Sequence, residues 1–297
     1  MPIPNLPQLL RARTKRRTVT IDVGDPLKRD RDKLLRTYLL VIRHWEGARQ
    51  RLVRAYEREL GRMTNLDHMP LANGNGQMRD SISDLQAEID EASGFFTRIF
   101  ATLTLQIEDW ASVVEWWHRG RWRNSLLSAS GVDLQTVLQA GDVDQTLRSV
   151  IQQNVELIKS VNAQQAERMT GAIFRGLNER KPARELAKEL RAITGFGRKR
   201  ALLIASDQLQ KAATALDTER MFQAGITKWK WKHSGKVHYR PHHKARDGKL
   251  YYLGSRKAVE GDEVIPADDM PGVPIRCGCR KVSYIELEDV DDEGNPR

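Results

Sequence analysis

Only two of the 297 residues are cysteine, Cys277 and Cys279, with a single glycine between them. Thiols that close along the chain do not form an easy bridge, so a disulfide framework is excluded. No stretch approaches the roughly 20 consecutive apolar residues that span a bilayer, and no membrane is expected as a partner. The opening MPIPNLPQLLRARTKRRTVTID lacks the basic-then-apolar order and cleavage site of a secretory signal, so a cytoplasmic origin is the expectation. The P-loop, G-x-S-x-G, H-E-x-x-H and Rossmann glycine signatures are all missing, and with them the commonest nucleotide and hydrolase chemistries. Internal repeats and low-complexity tracts are absent too.

What the chain does have is positive charge. Its formal net charge is +10, a balance that favours a polyanionic partner, nucleic acid first. The charge is uneven. Ten Lys or Arg residues lie between Lys228 and Lys257 against one acid, Asp247, whereas the ending ELEDVDDEGNPR is acidic.

The pattern divides the chain into four parts. Residues 1–25, with prolines and the cluster Arg11, Arg13, Lys15, Arg16 and Arg17, read as an extended basic arm outside the core. Residues 26–225 read as a helical domain, with Asp25 as N-cap and Pro26 in the first helical position. Leu34, Leu35, Tyr38, Leu39, Ile42 and Trp45 recur at three- and four-residue steps, the mark of an apolar helix face. A flexible loop is expected at LANGNGQ (71–77). A second amphipathic run covers about 78–118, with Phe95, Ile99, Leu103, Ile107 and Trp110 along one face, and helical signals continue through 133–222. After Gly225 the texture changes: ITKWKWKH alternates apolar and basic side chains, as a strand with one buried face does. Residues 226–285 therefore read as a small, loop-rich α+β module, basic and rich in histidine, and 286–297 as an acidic disordered tail. The expected fold class is mostly α: long amphipathic helices in the N-terminal two-thirds, then the small α+β C-terminal module.

Three features carry candidate chemistry. His233, His238, His242 and His243, four of the seven histidines, precede the two cysteines. Two thiolates and two imidazoles suit tetrahedral zinc, and a metal can replace core in a module with little apolar mass. The candidate ligands are His243, Cys277, Cys279 and His238. Paired zinc cysteines usually stand two to four residues apart, and here one residue separates them, so solvated histidines beside small buried thiols remain the competing reading. His243 with Arg240 and Asp247 also has the composition of a histidine-dependent nuclease site. Second, LRAITGFGRKRALLIA (190–205) matches a helix-hairpin-helix, in which glycines make the turn and helix N-terminal amides grip phosphate; an ordinary Gly-rich helical hairpin fits it as well. The candidate phosphate contacts are Lys228, Lys230, Lys232, Lys236, Arg240, Lys244 and Arg246, together with Arg198, Lys199 and Arg200. Third, EWWHRGRW mixes aromatic and basic groups that can stack on bases, although tryptophans at helical spacing usually pack inside a helical domain.

Taken together, WKWKHSGKVHYRPHHKARDGK and MPGVPIRCGC resemble the C-terminal signature of the Mu-like phage minor head proteins, the head-morphogenesis protein F family. QQNVELIKSVNAQQAERM, RKPARELAKELRAITGFGRKRALLIASDQ and MFQAGITKWKW follow that family's order. Its histidine falls on His243, its arginine on Arg240, its Asp-Gly on Asp247 and Gly248, and its paired cysteines on Cys277 and Cys279. Gly278 stands where an arginine is usual. The resemblance implies a low-copy virion component without catalysis, at the capsid interior or portal region. Its implied partners are the portal protein, the major capsid protein and packaged double-stranded DNA. The alternative is a nuclease or toxin-like enzyme delivered with the phage.

Overall fold

The computed structural model describes residues 6–67, 77–133 and 143–287. Its elements are α1 (Leu6–Arg11), β1 (Thr18–Ile21), α2 (Lys28–Asp67), α3 (Gln77–Ser130), α4 (Asp144–Asn178), α5 (Ala183–Gln223), β2 (Lys228–Lys232), α6 (Pro241–Ala245), β3 (Leu250–Tyr252) and β4 (Arg280–Glu286). The mostly helical class with a small α+β ending is therefore the observed one. No helix among the described residues is long and apolar enough to cross a membrane.

The described residues cluster into two compact units. One comprises Asp32–Glu108 and Gln153–Ala205 and is helical throughout. Its core is the expected face of α2, with Leu34, Tyr38, Ile42 and Trp45 fully buried together with Leu103, Ile107, Ile158, Met169, Ile173, Leu186 and Leu190. Two polar tips of this face find partners: the Tyr38 hydroxyl reaches the Asn154 side chain at 3.1 Å, and the Trp45 indole N–H donates to Asn162 at 3.1 Å. Here the hairpin expected at TGFG is corrected, because α5 runs unbroken through Gly195 and Gly197. The glycine at 197 serves packing instead of turning. A Cβ there would sit 2.6 Å from Gln165 Oε1 of α4 and 2.8 Å from Ile42 Cδ1 of α2, so glycine lets these side chains lie directly against α5.

The other unit comprises Met1–Arg31, Asp109–Gln152 and Ser206–Arg297. It holds a four-stranded antiparallel sheet in the order β1-β4-β2-β3. Alternation works as the sequence implies. Trp229 and Trp231 of β2 lie fully buried, and Tyr251, Ser283, Ile285, Val19 and Ile21 share their inward face. The lysines between the tryptophans take the outward face. α5 stops where Gly225 adopts φ +68, and the Ile226 amide closes back on the Met221 carbonyl at 2.9 Å, the capping pattern of a glycine in the left-handed region.

Three boundary expectations change. Residues 6–25 are not an extended arm: Leu6, Leu10, Val19 and Ile21 are buried in this unit's core, β1 is an edge strand on β4, and the Leu6 amide bonds the Ala224 carbonyl. Apolar residues on either side of the basic cluster decide the outcome. The helix expected to start at Pro26 starts at Lys28, and Asp25 pairs with Arg280 at 2.9 Å instead of capping it. Nor do the compact units divide at 225, although the change from helix to strand falls there; α2, α3 and α5 each give segments to both units. Residues 71–76 of the expected loop and 288–297 of the expected tail lie outside the described residues. Of that tail's start, Glu286 ends β4 and Leu287 is buried.

Candidate functional site

The histidines and cysteines converge because two short elements flank them. Pro241 opens α6, where its lacking amide costs nothing, and Arg240 precedes it in extended conformation. One turn of helix then points His243 inward, 2% exposed, edge-on to Trp231 with ring centroids 5.0 Å apart. On the other side, Arg276 adopts φ +63, a left-handed conformation that costs a bulky residue of order 1–3 kcal/mol. Its amide donates to Asp207 at 2.7 Å, which holds the turn. Cys277 and Cys279 follow, both buried and both unbridged.

His243 Nδ1 lies 3.5 Å from Cys277 Sγ and 3.7 Å from Cys279 Sγ. Its other ring nitrogen, Nε2, lies 2.9 Å from Asp269 Oδ1. Arg246 anchors that carboxylate at 2.5 Å and also pairs with Glu263 at 2.7 Å, whose second oxygen accepts from the Tyr251 hydroxyl at 2.9 Å. Burial pushes the Asp269 carboxyl up, but hydrogen bonds from Arg246, His243 and His242 outweigh it and hold the group at about 2. A hydrogen bond from Cys279, together with the backbone amides of Gly272 and Cys279, holds the Cys277 thiol well below its ordinary value despite burial. The same sharing, with burial, pushes Cys279 up.

Of the four expected ligands, three come together. His243, Cys277 and Cys279 offer donor atoms all within 4.8 Å of one another. His238 is exposed and belongs to no such cluster among the described residues. The nuclease grouping does not assemble. Arg240 bonds the Ile275 carbonyl at 3.3 Å, Asp247 accepts the His233 amide at 2.8 Å, and His243 turns to Asp269. Asp269, Glu263 and Asp207 were missed from sequence. Asp269 is one of several acids between Glu260 and Asp269, and nothing in their spacing singles it out.

The basic residues separate into committed and available groups. Arg246 is consumed by Asp269 and Glu263. Lys236 donates to the Arg276 carbonyl at 3.1 Å and crosses Gly278, where a Cβ would meet its Cε at 2.8 Å. Lys244 lies over the Tyr239 ring at 5.0 Å. On the outward face of the sheet, Lys230 lies over the Tyr284 ring at 5.3 Å and Lys228, ion-paired with Glu286, over Tyr252 at 5.6 Å. Lys232 is exposed on the same face, opposite Arg280 of β4. Arg198, Lys199 and Arg200 belong to the other unit, inside α5, so they do not sit at a helix N-terminus; Arg198 pairs with Glu46. Among the tryptophans of EWWHRGRW, Trp117 and Trp122 are buried as expected of core, but Trp116 is 63% exposed.

Comparison with known proteins bears on the same region. Residues 163–282 match the family described as Phage Mu protein F like protein. Over that segment the chain is Mu F-like. The matched segment takes in the last part of α4, all of α5, β2, α6 and β3, the whole His/Cys site and the start of β4. An uncharacterized protein of Haemophilus influenzae is 26% identical over 164 residues, 54% of this chain and 35% of the relative. The match thus spans about a third of that relative's length. No solved structure matches.

Proposed function

We propose that this chain acts in head morphogenesis of a Mu-like phage, as a low-copy component of the virion near the portal or inner capsid surface, in contact with packaged double-stranded DNA. The observation that carries the reading is the Mu F-like match over 163–282, which coincides with the lysine-bearing sheet and the His/Cys site. The sheet face supplies what phosphate contact needs. Lys228, Lys230 and Lys232 alternate with inward tryptophans, and Tyr252 and Tyr284 give aromatic surface between them. Such a face attracts the backbone without reading sequence. Portal and major capsid proteins are the partners this role requires.

A histidine nuclease has less support. His243 is nearly inaccessible, and its ring nitrogens face a carboxylate and two sulfurs instead of solvent. The test is quantitative mass spectrometry of purified, nuclease-treated particles of the source phage. A low, fixed copy number per particle is expected. Abundance in infected cells with none in particles would overturn the proposal.

A further inference from the structure

We propose that His243, Cys277 and Cys279 bind one zinc ion, with Asp269 orienting the histidine and water in the fourth position. The distances are those of shared ligation. A sulfur about 2.3 Å and a nitrogen about 2.0–2.1 Å from a tetrahedral zinc lie about 3.6 Å apart, and the observed separations are 3.5 and 3.7 Å. Two sulfurs converge on one ring nitrogen, Nδ1, which has a single lone pair. A cation uses all three donors at once.

The surroundings agree. A metal-bound histidine characteristically donates its other N–H to a carboxylate, which fixes the tautomer and aims the lone pair. Asp269 takes that position at Nε2, 2.9 Å away, and is itself clamped by Arg246. Two thiolates and a dication sum to zero charge, which suits residues 2–4% exposed. Thiolate and imidazole donors with no cluster of hard oxygens select zinc over magnesium or calcium. No fourth His, Cys, Asp or Glu joins this cluster among the described residues, which leaves one position for water. The ion would tie α6 to the segment entering β4, closing a loop of 34 positions between His243 and Cys277.

The full-length chain, purified without metal-affinity resin, is the material for the test. Elemental analysis should give about one zinc per chain, and Cys277→Ser and Cys279→Ser should each lose most of it. Asp269→Asn should keep the fold and the stoichiometry but bind zinc 10–100-fold more weakly. Cobalt added to stripped wild type should show thiolate-to-metal charge-transfer absorption. Should the cysteine variants fail to fold, the Asp269→Asn affinity and the wild-type cobalt spectrum decide. Folded wild type that contains no zinc and gains no stability from added zinc overturns the proposal, as does full zinc content in both serine variants.

Discussion

Gly272→Ala is the most informative single change, because two separate penalties fall on one methyl group. Gly272 has φ +80, where an alanine pays about 1–2 kcal/mol for the left-handed conformation. Its Cβ would also land 2.4 Å from Thr214 Oγ1 and 3.1 Å from Thr214 Cβ, on a buried turn of α5. Overpacking of this kind costs about 1–3 kcal/mol, so the variant should lose about 2–5 kcal/mol. Thr214→Ala removes the hydroxyl and the methyl that collide. The double variant should then recover the steric part and retain the backbone part, with a coupling of about 1–2 kcal/mol. Urea unfolding of the full chain, followed by tryptophan fluorescence with midpoint and slope both fitted, measures all four corners of the cycle. Gly272→Ala within about 0.5 kcal/mol of wild type, or strict additivity with Thr214→Ala, would refute the packing of the 270–273 turn on α5.

Trp231→Ala should cost about 3–5 kcal/mol, since a fully buried indole leaves a cavity beneath His243 and Tyr251, whereas Trp116→Ala should stay within about 0.5 kcal/mol; equal losses in the same urea assay would invalidate the assignment of faces. Combined replacement of Lys228, Lys230 and Lys232 by alanine should flatten the salt dependence of duplex DNA binding by about 0.9 in log–log slope for each phosphate contact removed. Arg198→Ala, whose charge is already met by Glu46, should change that slope little. Fluorescence anisotropy on a short duplex at several salt concentrations reads both, and an unchanged slope for the triple variant removes the sheet face from the argument.

Periodicity made much of this structure legible. The three- and four-step apolar pattern of α2 and the two-step pattern of Lys228–Lys232 each report burial on one face; Leu34, Tyr38, Ile42, Trp45, Trp229 and Trp231 are fully buried, while Leu35 and Leu39 flank the α2 face half-buried. Local chemistry misled where a distant partner decided the outcome. Gly195 and Gly197 look like a turn, but Gln165 and Ile42 explain the second of them as a packing notch. The basic N-terminal stretch looks solvated, but four apolar residues within it find the sheet and the end of α5. The His/Cys cluster was legible as a set because the residue types are rare here. Its carboxylate was not, because Asp269 is one acid among several and only the fold selects it. His238 had the right type and the wrong direction.

The pairing of β1 with β4 has a consequence for the life of the nascent chain. Asp22 and Arg280 are joined across 258 positions, and contacts so remote are slow to form because a very long loop must close first. While translation proceeds, Leu6, Leu10, Val19 and Ile21 leave the ribosome without the central strand that will cover them, exposed as an apolar segment with an unpaired edge. Much of α2, α3 and α4 can meanwhile gather around its own core. Completion of the sheet therefore works as a late proofreading step. A chain that stops short of β4 displays neither the finished lysine face nor the cysteine pocket, and its uncovered apolar segment makes it a substrate for chaperones and proteases.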